Sequence, residues 1–282
     1  MLKRPILILA AFCFLLSGCA TSSPERSAKA FTVAQEAGLQ KEMVKAAPFV
    51  LTAYARLSAP GKPIHIYIEG DGYAWVTRNR VSGDPTPRQP MVLSLAAEDP
   101  APNVVYLARP CQYTPQEQNP KCEEFYWTGG RFSEEVVRSM DEAVSYFIGK
   151  TGAPGADLIG YSGGAAVAVL VAVRRTDILS FRTIAGNLNP ELVNRYHEVS
   201  PLDGSLDPMD AADKVASIPQ LHFIGGDDEL IPLETVSSFL KKMGDERCFR
   251  MKTISDASHE NGWMEAWPEL LREPVVCRKE AV

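Results

Sequence analysis

The sequence predicts a single α/β domain, a mostly parallel sheet with helices on both faces. Three observations predict it. Short runs rich in β-branched and aromatic residues alternate with stretches at helical spacing. A Gly-x-Ser-x-Gly motif stands where one such run meets one such stretch, at residues 160–164. The composition is that of an ordinary globular chain, with 45% of 282 residues hydrophobic and 23% charged, enough for one large core. That balance excludes disorder, collagen and coiled coil. The 29 basic and 35 acidic residues give a formal net charge of −6, so the electropositive footprint of a nucleic-acid binder is missing. After the first twenty residues no apolar run is long enough to read as a membrane span.

Residues 31–46 have helical spacing and stop before Pro48. Residues 49–57 read as an early edge strand. Strands are then expected at 64–68, 104–107, 158–161, 181–185, 221–224 and 249–254, each short and rich in Val, Ile, Phe or Tyr. Between them lie helices. Residues 133–148 open with Ser133 ahead of Glu134 and Glu135, a capping serine and an acidic first turn. Residues 163–174 are small and apolar on most faces, which predicts a buried helix. Residues 233–243 and 264–271 complete the set. Two longer segments interrupt the alternation. Residues 74–89 are rich in Arg, Gly and Pro; residues 111–130 contain Phe125-Tyr126-Trp127 and precede Arg131-Phe132. Both follow strands at the expected carboxyl edge of the sheet, where loops line the site in open α/β sheets.

The first residues read as an address. Lys3 and Arg4 precede an apolar run at 5–16, and the run ends in Leu16-Ser17-Gly18-Cys19. This resembles the lipobox of bacterial lipoproteins. The resemblance implies that residues 1–18 are a signal peptide and that Cys19 becomes the first mature residue and carries lipid. Ala20, standing where an aspartate would retain such a protein at the inner membrane, implies the outer membrane, facing the periplasm. Residues 19–29 are polar and small and read as a flexible tether, leaving 30–282 for the domain. Apart from Cys13 and Cys19, four cysteines remain: Cys111, Cys122, Cys248 and Cys277. They allow three pairings. The simplest closes the 111–122 loop and ties Cys248 to Cys277, in keeping with an oxidising compartment.

Ser162 is the expected nucleophile. A serine between strand and helix needs small neighbours, and Gly160, Gly163 and Gly164 supply them. The Gly163 amide, at the start of the helix, can donate to a developing oxyanion. A serine also needs a base, and the chain has four histidines. His65 and His222 fall inside strands, and His197 lies in a polar loop. His259 stands after the last strand and before the last helix, where a loop reaches back over the sheet edge. After the 221–224 strand, Asp227, Asp228 and Glu229 offer a carboxylate to orient an imidazole.

Ser162, an acid of this turn and His259 follow the order of nucleophile, acid and histidine found in the α/β-hydrolase superfamily, which the chain resembles over residues 48–271. Gly225-x-x-Asp228-x-x-Ile231-Pro232 resembles that superfamily's acid turn and selects Asp228. The stretches Glu69-Gly70-Asp71-Gly72-Tyr73-Ala74-Trp75, Arg109-Pro110-Cys111 and His259-Glu260-Asn261-Gly262-Trp263 are similar to bacterial α/β-hydrolase lipoproteins. The resemblance implies an α/β-hydrolase fold and a serine hydrolase acting on a small-molecule ester or thioester, with amides as the runner-up. A non-catalytic envelope binding protein is the alternative of another class. The second oxyanion donor is expected in the turn after residues 64–68, where Glu69 replaces the histidine of many esterases. Asp71 or Gly72 supplies the amide, Asp71 being preferred, with its carboxylate turned away from the oxyanion. Arg109 either pairs with an acidic substrate group or braces a loop, bracing being the preferred reading. Trp75, Tyr126 and Trp127 either wall a pocket or pack beneath the loops. No His or Cys spacing suits a metal, and no dinucleotide fingerprint follows the first strand, so no cofactor is expected.

Overall fold

In the computed structural model, which describes residues 22–278, one eight-stranded sheet carries helices on both faces. Helix α1 (Ser23–Glu36) leads into β1 (Gln40–Ala46) and β2 (Phe49–Leu57). Strand β3 (Ile64–Ile68), a small hairpin of β4 (Trp75–Thr77) and β5 (Arg80–Val81), helix α2 (Met91–Ala97) and β6 (Asn103–Leu107) follow. Then come α3 (Glu134–Thr151), β7 (Ala156–Tyr161), α4 (Gly163–Ala172), β8 (Ile178–Ile184) and α5 (Pro190–Tyr196). Strand β9 (Gln220–Gly225), α6 (Leu233–Met243), β10 (Phe249–Ile254) and α7 (Trp263–Leu270) complete the chain.

The sheet order is β1-β2-β6-β3-β7-β8-β9-β10. Strand β2 runs antiparallel to both β1 and β6, and the neighbours from β6 to β10 are parallel. The central strands are buried on both faces, which is why they read as continuous apolar runs. On one face α3, α4 and α6 pack over Ile64, Ile66, Val105, Leu107 and Leu158. On the other, α1, α2 and α7 cover Tyr67, Val104, Tyr106 and Ile159, with Trp263 and Trp267 fully buried. Every residue of α4 is buried, as its small apolar sequence predicts. Helix α3 starts where Ser133 accepts from the Val136 amide, and it ends on Gly152 at φ 63°.

Register places the site. Ile68 stands opposite both Leu107 and Gly160, Tyr161 opposite Ile184, and Ile254 opposite Gly225. The carboxyl ends of β3, β6, β7, β9 and β10 are therefore level, and their following loops emerge at one edge.

Four expectations are corrected. Residues 31–46 are not one helix: α1 ends at Glu36 and residues 40–46 form β1. Gly38, at φ 69°, breaks the helix, and seven consecutive pairs with β2 hold the strand. Local spacing could not see that partner. Residues 23–29, expected within a flexible tether at 19–29, belong to α1. Pro24 and the Ser22 amide bonded to Glu25 at 2.7 Å start the helix, and buried Arg26 fastens it to Asp84 and the Thr86 carbonyl. Strand β2 lies inside the sheet, since β1 covers its edge. Helices α2 and α5 and the β4–β5 hairpin were not anticipated; each is seven residues or fewer, too short to show a period. The disulfides Cys111–Cys122 and Cys248–Cys277 are both present. The expected signal peptide at residues 1–18 and the expected lipid site at Cys19 lie outside the described residues.

Candidate active site

The chain turns sharply from β7 into α4 at Ser162, which sits at φ 51° and ψ −120°. An L-residue adopts that conformation only where the surroundings impose it. Here the strand enters through the Ser162 amide bonded to the Ile184 carbonyl at 2.9 Å, and the helix leaves at once. The turn is so tight that a Cβ on Gly160 would meet the Gly164 carbonyl at 2.5 Å, and one on Gly164 would meet the Glu69 carbonyl at 2.5 Å. The motif's glycines are thus a steric requirement of β7, α4 and the β3 end touching one another.

His259 reaches Ser162 from the loop after β10. Its Nε2 lies 3.1 Å from the Ser162 hydroxyl, and its Nδ1 lies 2.9 Å from Asp228 Oδ2. With Nδ1–H donated to the carboxylate, Nε2 is left to accept from the hydroxyl. Asp228 follows β9. Its Oδ1 accepts from the Leu230 and Ile231 amides at 2.8 and 2.9 Å, which fixes the carboxylate. Burial opposes its charge, but the His259 ring and these two amides outweigh burial and hold the carboxyl below its usual range. Hydroxyl, imidazole and carboxylate thus form one continuous hydrogen-bonded chain.

Tyr161 holds His259 from the other side. Its hydroxyl donates to the His259 carbonyl at 2.9 Å, and its ring lies 5.2 Å from the imidazole. Trp263 Nε1 donates to the same carbonyl at 3.0 Å.

The turn after β3 faces the Ser162 turn. Glu69 is buried, accepts from the Tyr106 hydroxyl at 2.8 Å and from its neighbour's amide, Gly70, at 2.9 Å. Burial pushes its carboxyl up to about 7, against the pull of Tyr106, Gly70 and Arg109. Among the described residues the Asp71 and Gly163 amides have no hydrogen-bond acceptor. The Asp71 carboxylate is not turned away, contrary to expectation. It rests against Gly163, where any Cβ would strike its Oδ1. Arg109 donates to that oxygen, and Arg131 Nε approaches Oδ2 at 3.3 Å. Burial opposes the Asp71 charge, but the two guanidinium groups outweigh it and keep the carboxyl below its usual range. The arginines explain how an anion is tolerated here.

Comparison with solved structures gives the fold its name. An esterase of Pyrococcus furiosus superposes with a TM-score of 0.57 at 12% identity, over 84% of this chain and 89% of its own. Est1E from Butyrivibrio proteoclasticus gives 0.57 at 16%, over 82% and 96%. An acylaminoacyl peptidase of Pyrococcus horikoshii gives 0.63 at 12%, covering 86% of this chain but only 42% of the peptidase. The chain has the α/β-hydrolase fold. No protein-family model and no curated protein matches its sequence.

Within this α/β-hydrolase sheet the remaining expectations sort as follows. His222 is fully buried between Thr183 and Gln220, and burial drives its ring down to about 3. His65 pairs with Asp99 at 2.7 Å near the opposite strand ends, and His197 contacts the Leu230 carbonyl at 2.8 Å. Arg109 braces: it binds Asp71 and the Arg131 carbonyl. Tyr126 and Trp127 are buried, against Phe49 and bonded to the Ser82 carbonyl respectively, while Trp75 is exposed. Among the described residues no cluster of His, Cys, Asp or Glu could hold a metal, and no helix is long and apolar enough to cross a membrane. Sequence reasoning missed Arg131 and Tyr161. Arg131 carries no motif; Tyr161, inside the serine motif, could have been noticed as the side chain nearest the nucleophile.

Proposed function

We propose that this chain is a serine hydrolase cleaving carboxylic ester or thioester bonds through an acyl-enzyme, with Ser162 as nucleophile, His259 as base and Asp228 as its orienting acid. The observation that carries the reading is the unbroken path from Ser162 Oγ to His259 Nε2 at 3.1 Å and from Nδ1 to Asp228 at 2.9 Å. His259 takes the Ser162 proton as Oγ attacks the carbonyl carbon. The amides of Gly163 and Asp71 receive the oxyanion. As the tetrahedral intermediate collapses, His259 returns the proton to the departing alcohol or thiol. Water then enters, His259 removes its proton, and the acid leaves as Ser162 is restored. Asp228 stabilises the imidazolium in both halves.

The test is turnover of p-nitrophenyl esters by the full chain in mild detergent. Ser162→Ala should lose on the order of 10⁴-fold in kcat. A variant as active as the wild type removes the mechanism and leaves a binding protein on this fold. An amidase with the same residues is favoured by the likeness to acylaminoacyl peptidases; matched p-nitroanilides decide between the two. We also propose that Cys19 is lipidated and that the protein sits at the outer membrane facing the periplasm. The lipobox-like Leu16-Ser17-Gly18-Cys19 supports this. Intact mass of membrane-extracted protein tests it, and Cys19→Ala should free the chain from the membrane.

A further inference from the structure

The turn beside the nucleophile holds more positive charge than the proposed chemistry uses. Asp71 stands between two guanidinium groups. Arg109 is spent within the fold: one terminal nitrogen donates to Asp71, the other to the Arg131 carbonyl, and the group lies 5.2 Å over the Phe132 ring. Arg131 also lies over the Phe132 ring, at 5.5 Å, but differs in its hydrogen bonds. Its side chain is only 13% exposed, its Nε is buried without a hydrogen-bond acceptor, and among the described residues its terminal nitrogens donate to no group and are not buried. Two guanidinium charges against one carboxylate leave one positive charge in excess. Glu69, the next acid within reach of Arg109, is buried and carries little charge below about pH 7, so it does not cancel the excess.

A guanidinium whose stem is buried and whose terminal donors stay open to solvent is poised to take an anion. Its planar fork matches a carboxylate with two parallel hydrogen bonds. The location is specific. The Asp71 carboxylate lies 3.3 Å from Arg131 Nε with one oxygen and rests against Gly163 with the other, so the Arg131 guanidinium is one carboxylate away from the residue after Ser162.

We propose that Arg131 forms a substrate-anion subsite and that the favoured acyl group carries a second carboxylate, as in a monoester of a short dicarboxylic acid. This rests on the serine-hydrolase reading and adds its substrate class. Arg109 and Asp71 fix the fork in place; Arg131 supplies the binding.

The experiment compares mono-p-nitrophenyl glutarate with p-nitrophenyl valerate, a neutral ester of the same acyl length, using the full chain in detergent. Wild-type kcat/KM should favour the glutarate ester by about tenfold or more, the worth of a charged hydrogen-bonded contact. In Arg131→Gln that ratio should fall by about tenfold, mainly through KM, and Arg131→Lys should restore part of it. Free glutarate should compete with valerate ester in the wild type, which tests the subsite even where a variant fails to fold. A wild-type ratio at or below one, a ratio unmoved in Arg131→Gln, or no competition by glutarate overturns the subsite. Fluorophosphonate labelling of Ser162 separates the two failures. Labelling without glutarate preference removes the subsite alone; no labelling and no turnover removes the hydrolase reading with it.

Discussion

The hydroxyl of Tyr161 donates to the main-chain carbonyl of His259 at 2.9 Å, so the residue before Ser162 holds the loop that carries His259. Removing that hydroxyl leaves Trp263 Nε1 on the same carbonyl. Tyr161→Phe should therefore keep the fold and lose about fivefold in kcat, the worth of one hydrogen bond, with KM little changed. Tyr161→Ala also removes the ring packed on the imidazole and should cost more. Steady-state kinetics of the two variants check this; a change confined to KM would contradict it.

Glu69 gives the fold a pH dependence of unusual sign. Its carboxyl is pushed up to about 7 by burial, whereas in the unfolded chain it titrates near ~4.3. Between those values the folded state keeps a proton that the unfolded state releases. This contribution is complete below the unfolded value and is lost as pH rises through 7, on the order of 4 kcal/mol. Asp71 and Asp228, held below their usual range, act in the opposite sense and lose stability as pH falls. Glu69→Gln should thus gain Tm relative to wild type on going from pH 5 to pH 8. Equal Tm differences at both pH values would contradict the burial argument.

The Cys111–Cys122 bridge closes the loop that begins two residues after Arg109. Closing a loop of that length is worth about 3 kcal/mol through the unfolded chain. The double variant Cys111→Ala, Cys122→Ala should melt several degrees lower. Reductant should lower the wild-type Tm further than that of the variant, since the variant retains only Cys248–Cys277. Melting curves with and without reductant measure both.

Much of this site was legible because its chemistry is local. Ser162 and its glycines announce a strand–helix turn, and the acid turn and His259 loop each follow a recognisable strand. The central strands could be read because burial on both faces makes them continuously apolar. What could not be read depends on distant partners. Residues 40–46 look helical until β2 pairs with them. Arg26 looks solvated until Asp84 and Thr86 are brought to it. The orientation of the Asp71 carboxylate was misjudged because its neutralising partners lie 38 and 60 residues away in sequence, in Arg109 and Arg131. Electrostatic balance of that kind is a property of the folded cluster.

The most direct measurement is the position of a covalent adduct. The full chain is treated with a fluorophosphonate and mapped by peptide mass. A single adduct on Ser162, formed far more slowly in His259→Ala, is the expected result for a serine activated by that imidazole. An unlabelled Ser162, or a labelling rate indifferent to His259, would contradict it.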